Sequence, residues 1–157
     1  RVTVPVGEDI GFLPGTEEEK MTPWMGALED NLDVLNKPTE EGGEWGRAAT
    51  RDLIRSRIKI KSLNFMRGRT FLNKYLIIDE AQNLTPKQMK TLITRAGPGT
   101  KVVCLGNISQ IDTPYLTEGS SGLTYVVDRF KGWLHSGHVT LMRGERSRLA
   151  DHAAEVL

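Results

Sequence analysis

Apolar residues in this chain arrive either as short unbroken runs or at helical spacing, and the two kinds alternate. Leu76-Ile77-Ile78 and Val102-Val103-Cys104-Leu105 are continuous runs of the length expected for buried strands, and each is followed by polar residues. Between them, Thr85-Pro86 reads as an N-cap with proline at the first helical position. Met89, Leu92 and Ile93 then fall on one face of a helix predicted over 86–96, which Gly97-Pro98-Gly99 should stop. The order strand, helix, strand predicts a βαβ unit and a parallel sheet.

The flanking segments are read in the same way. Residues 1–4 resemble a strand end closed by Pro5, followed by a loop with Gly7, Gly11, Pro14 and Gly15. Thr16 and Glu19 form a capping-box pattern, and Pro23 should break or restart the helix that it opens. Trp24, Met25, Leu28, Leu32 and Leu35 define one apolar helix face ending near Asn36. Residues 37–46 are turn formers and acids, predicted to be a mobile surface loop; Trp45 within it either meets a partner or folds back onto the core. A basic amphipathic helix over 47–57 and a short alternating strand over 58–61 follow. Ser120-Ser121-Gly122 opens a helix through Tyr125, Val126 and Phe130, residues 137–141 read as a last strand, and 148–157 as a last helix.

Composition narrows the class. With 157 residues, 38% hydrophobic and 26% charged, the chain fits one globular domain of ordinary makeup. A net charge of +1 argues against a globally basic nucleic-acid binder and leaves only local basic patches to consider. The lone Cys104 sits in an apolar run and reads as a core thiol of a reducing, cytoplasmic compartment. No stretch has the length of a membrane span. The chain starts without methionine on what reads as the exit of a strand, so a fragment of a longer protein is expected.

The most chemically committed segment is the end of the first apolar run, where Asp79 and Glu80 follow Ile78 directly. Open α/β sheets place ligands beyond the carboxyl ends of their strands, and the second run likewise empties into a polar loop, Gly106 to Asp112. Adjacent acids at a strand end are the Walker B arrangement, in which one carboxylate helps to hold Mg²⁺ and the next polarises an attacking water. Arg67 and Arg69 surround Gly68 and are flanked by Phe65 and Phe71. That grouping suits a phosphate backbone with stacked bases, and equally a turn with two solvated arginines. His135, His138 and His152 have no metal-ligand spacing and are assigned to surface or packing roles.

Taken with Gly11-Phe12-Leu13-Pro14-Gly15, Glu19-Lys20-Met21, Met66-Arg67-Gly68-Arg69-Thr70, Ile78-Asp79-Glu80-Ala81-Gln82-Asn83, Gln110-Ile111-Asp112 and Ser121-Gly122-Leu123, the chain resembles the PhoH-like ATPases. The likeness covers nearly all of it and is greatest to members that carry an added PIN nuclease domain. It implies an α/β, three-layer, mostly parallel sheet of the P-loop NTPase (superfamily 1 helicase-like) type, incomplete at its amino-terminal end. Residues 1–157 would be the carboxyl-terminal part of that ATPase domain. The implied ligands are ATP and Mg²⁺, and the implied activity is ATP hydrolysis coupled to RNA or single-stranded nucleic acid. The implied assembly is a homo-oligomer, ring-shaped in the full-length protein.

Residue by residue, the resemblance gives Asp79 the Mg²⁺ and Glu80 the role of general base. It makes Gln110 the γ-phosphate sensor and puts Gln82, Gly106 and Asn107 on the nucleotide side of the two loops. Arg146, before Ser147, would stabilise the transferred phosphoryl group, and Arg143 would be a second such arginine, acting across a subunit boundary. Arg67 and Arg69 would meet the nucleic acid. The sequence departs from the pattern in two ways. Asn107 stands where an aspartate is usual, keeping hydrogen-bonding capacity and losing a charge, and no Gly-x-x-x-x-Gly-Lys-Ser/Thr stretch occurs in residues 1–157. The chain alone is therefore expected to be inactive. The alternative reading is a non-catalytic α/β module that uses its scaffold for assembly.

Overall fold

The computed structural model describes residues 25, 26, 28–31, 48, 52, 56–61, 63, 68–142, 144 and 146–157. The expected strand at 1–4, the loop over 37–46 with Trp45, and the candidates Arg67 and Arg143 lie outside them. The chain divides into two units, residues 1–126 and 127–157, which are described separately.

In the first unit, residues 25, 26 and 28–31 are helical, as are 48, 52, 56 and 57, in agreement with the helices read from the apolar spacing. The ordered centre is the expected βαβ unit. Strand β1 (Tyr75–Ile78) and strand β2 (Lys101–Cys104) pair in parallel, with Tyr75 opposite Lys101 and Ile78 opposite Cys104. Side chains alternate along a strand, so Leu76 and Ile78 of β1 and Val102 and Cys104 of β2 turn to the core, where they pack with Met89 and Leu92. The other face carries Tyr75 and Ile77, 66% and 51% exposed.

Helix α1 (Pro86–Ile93) joins the two strands. Its start is fixed by a complete capping box: Thr85 Oγ1 accepts from the Gln88 amide at 3.2 Å, and Gln88 Oε1 accepts from the Thr85 amide at 2.8 Å. Pro86 at the first helical position loses nothing, because its missing N–H would have had no intrahelical acceptor. The helix buries Met89 and Leu92, each contributing about 1.5–3 kcal/mol relative to exposure. It ends at Ile93, short of the predicted 96, because the chain tightens into i to i−3 bonds, from the Arg95 amide to Leu92 and from the Ala96 amide to Ile93. This frees Ala96 to bridge Phe71, whose amide donates to the Arg95 carbonyl and whose carbonyl accepts from the Gly97 amide.

Helix α2 (Gly122–Phe130) begins where Ser120-Ser121-Gly122 predicted a helix start. In the second unit, helix α3 (Arg148–Val156) is capped by Ser147, whose Oγ accepts from the Ala150 amide at 3.2 Å. Ahead of α3, Trp133 packs edge-on against both Phe130 and His135. Two predicted strands are not formed among the described residues. Residues 58–61 and 137–141 have no ladder partner among the described residues, and Val139 and Leu141 are exposed. Alternating or apolar sequence forms a strand only when a neighbour accepts its backbone bonds. The described sheet accordingly has two strands, and the α/β class with a parallel sheet is what it shows. Among the described residues no helix is long and apolar enough to cross a membrane.

Candidate active site

Strand β1 ends on buried Ile78 and delivers Asp79 and Glu80, both half-buried, to its carboxyl end. The chain must turn sharply there. Glu80 does so in the left-handed region (φ 55°, ψ 36°), a conformation costing about 1–2 kcal/mol for a residue with a Cβ. Asp79 Oδ1 accepts from the Glu80 amide at 3.0 Å, and the Ala81 amide donates to the Leu105 carbonyl at 2.8 Å. The reversed chain then forms a short 3-10 turn, Ala81–Asn83, whose three residues are all buried.

Gln82 is fully buried and its amide is completely engaged. Nε2 donates to Glu80 Oε2 at 2.6 Å and to the Gln110 carbonyl at 3.1 Å, while Oε1 accepts from the Asn107 amide at 3.2 Å. It therefore connects the acid at the end of β1 to both ends of a second 3-10 turn, Ile108–Gln110, in the loop after β2. Gly106 makes room for this: a Cβ there would lie 2.5 Å from Gln82 Oε1 and 2.8 Å from Leu123 Cδ2.

Asn83 makes a second connection. Its Oδ1 accepts from the Asp112 amide at 2.7 Å, and its carbonyl accepts from Thr113 Oγ1 at 2.8 Å. A third comes from the start of α2, where Ser121 Oγ donates to the Gln82 carbonyl at 2.8 Å and the Gly122 amide donates to the Leu84 carbonyl at 2.7 Å. Gly122 fits only without a side chain, since a Cβ would lie 2.6 Å from the Leu84 oxygen and 2.7 Å from the Thr85 oxygen. Thus the side chains of Gln82, Asn83, Thr113 and Ser121 fasten the acid-bearing turn to its neighbours, and because all but Thr113 are buried, unmade hydrogen bonds there are costly.

The sequence candidates are distributed accordingly. Asp79, Glu80, Gln82, Gly106, Asn107 and Gln110 come together at the carboxyl ends of the two strands, as expected for ligand sites in open α/β sheets. Gln110 is exposed at the end of its turn. Asn107 Oδ1 accepts from the Ser109 amide at 3.0 Å and from Ser109 Oγ at 2.8 Å, a capping task that needs an acceptor oxygen and no charge. Arg69 is exposed and precedes Phe71, so it lies toward the opposite, amino end of β1 from the acids. Arg146 is in the second unit, next to the cap of α3. Cys104 packs half-buried against the core, and burial pushes its thiol up from the ordinary range.

Sequence reasoning assigned no role to Asn83 or Thr113, and read Ser121 as part of a helix start and of the family resemblance, with no bonding role. Their partners lie 29 to 39 residues away, so no local spacing marks them. The donor set bears on metal choice. Among the described residues no three His, Cys, Asp or Glu side chains converge as a metal cage. One or two carboxylates at a strand end are instead the protein share of a Mg²⁺ site completed by water and substrate phosphates, and Asp79 with Glu80 fits that pattern.

A parallel βαβ unit with adjacent acids and a glutamine-bearing loop side by side at its strand ends places the chain in the P-loop NTPase-like class. The PhoH-like protein family matches residues 1–155, and the chain belongs to it. It is 48% identical over 160 residues to Protein PhoH2 of Bacillus subtilis, covering all of this chain and 35% of that protein. It is 43% identical to the PhoH-like protein of the same organism (84% of this chain, 38% of that protein) and 36% identical to Protein PhoH2 of Mycolicibacterium smegmatis (96% and 32%). The chain spans about a third of the length of these curated relatives.

Proposed function

We propose that the protein to which these residues belong hydrolyses ATP and couples that reaction to RNA or single-stranded nucleic acid. The observation that carries the reading is the shared hydrogen bonding of Gln82, which places the Glu80 carboxylate and the Gln110 turn around one point at the strand ends. Asp79 would hold Mg²⁺, which when bound would neutralise charge on the phosphates. Glu80 takes a proton from water as the water oxygen bonds to the γ-phosphorus and the bond to the ADP oxygen breaks. Gln110, exposed at the end of its turn, senses the γ-phosphate. Arg146 and Arg143 stabilise the negative charge on the transferred group, Arg143 from a neighbouring subunit of a homo-oligomeric ring.

No Gly-x-x-x-x-Gly-Lys-Ser/Thr segment occurs in residues 1–157. The main phosphate cradle in this proposal therefore comes from chain outside them, and these residues alone bind Mg-ATP poorly. Nucleic acid would be met by Arg67 and Arg69, of which Arg69 lies toward the other end of β1 from the acids. An ATPase assay on the full-length protein, with and without single-stranded RNA, tests the reading. Turnover that RNA stimulates and that Glu80→Gln lowers by several orders of magnitude supports it. Absence of turnover in the wild type points instead to a non-catalytic assembly module.

A further inference from the structure

We infer that Gln82 is a positioning residue that sets the Glu80 carboxylate in its working orientation and ties that orientation to the loop after β2; this rests on the proposed hydrolysis. Glu80 stands at a strained left-handed position, and a hydrogen bond to its carboxylate fixes where that group points. Gln82 supplies that bond: its Nε2 lies 2.6 Å from Glu80 Oε2, a short bond to a carboxylate. The amide cannot rotate freely, because its second N–H is held by the Gln110 carbonyl and its oxygen by the Asn107 amide. Its oxygen also rests against Gly106, in space that a side chain would close. Being fully buried, Gln82 acts through Glu80 and the turn rather than on a ligand. A shift of the turn is therefore transmitted to the base by one rigid side chain, and loss of the amide leaves the base present but loosely aimed.

Methionine matches glutamine in length and lacks both donors, so Gln82→Met removes the tether with little change in volume. The test uses the full-length protein as wild type, Glu80→Gln, Gln82→Met and the double variant, with kcat and KM for Mg-ATP and the thermal midpoint measured for each. Gln82→Met is expected to lower kcat about 10–100-fold with KM within about threefold, the scale of loss that misplaced catalytic groups show. The double variant is expected to be no slower than Glu80→Gln alone, because residues acting as one unit are not additive. Gln82→Asn, one methylene too short to reach both loops, repeats the loss if the methionine protein fails to fold. Undiminished kcat in Gln82→Met, losses that multiply in the double variant, or a rise in KM alone would overturn this assignment while leaving the hydrolysis reading intact. A wild type without turnover, or one indifferent to Glu80→Gln, overturns both.

Discussion

Ser121 Oγ donates a 2.8 Å hydrogen bond to the carbonyl of Gln82, 39 residues earlier, and neither residue has any exposed surface. The start of α2 is thereby bolted to the turn that carries the acids. Ser121→Ala leaves the Gln82 carbonyl buried without this donor. A loss of about 1–3 kcal/mol is expected, the usual result for a stranded buried acceptor, and urea denaturation of the full-length protein measures it.

Glu80 occupies a backbone conformation that suits glycine better than glutamate. Glu80→Ala and Glu80→Gly both remove the carboxylate and its bond to Gln82, so the difference between them isolates the backbone. The glycine variant is expected to be the more stable by about 1 kcal/mol, since only the alanine retains a Cβ in the left-handed region. Both are expected to lack turnover. Equal denaturation midpoints would show that the turn relaxes out of this conformation.

The capping box at α1 predicts a modest and specific cost. Thr85→Ala removes the acceptor for the Gln88 amide and should destabilise the protein by about 1 kcal/mol, with Thr85→Ser close to wild type. Thermal unfolding of the three proteins side by side checks it.

Burial raises the Cys104 thiol, and the sign of its linkage follows. The folded protein favours the neutral thiol, so the contribution is complete below the pH at which an unfolded thiol ionises, about 8.5, and declines as pH rises past it. Stability should therefore fall between neutral and strongly alkaline pH more steeply for the wild type than for Cys104→Ala. Native Cys104 should also react more slowly with iodoacetamide than the denatured chain.

If Arg67 and Arg69 meet phosphates, their joint replacement by alanine should weaken single-strand binding by the full-length protein and reduce the slope of log affinity against log salt by about 1–2. ATP turnover without nucleic acid should be unchanged. Equal salt slopes for variant and wild type would move both arginines out of the interface.

What could be read from the sequence follows the range of the forces involved. The βαβ unit was legible because its strands are unbroken apolar runs and its helix start is a local pattern, Thr85-Pro86. The acids were legible because they end an apolar run. Residues 58–61 and 137–141 were misread as strands, since alternation and apolarity describe a surface that could pair and cannot supply the partner. The helix end at Ile93 coincides with i to i−3 tightening and with the bridge from Ala96 to Phe71, a tertiary contact that the helix-favouring Arg95 and Ala96 do not announce. Asn83 and Thr113 bond across the fold, and nothing in their immediate neighbours distinguishes them from ordinary polar loop residues; Gln82 was marked only through the resemblance, as a nucleotide-side residue, and its buried bonds to both loops were not legible.

The outer face of the sheet has a practical consequence. Tyr75 and Ile77 stand largely in water, and Leu72 and Leu105 are exposed near the two ends of the strands. Parallel sheets ordinarily have both faces covered, and exposed apolar surface of this kind promotes association. Handled as an isolated 157-residue polypeptide, these residues should be concentration-sensitive in solution, with light scattering rising with protein concentration and falling when Ile77 is replaced by threonine.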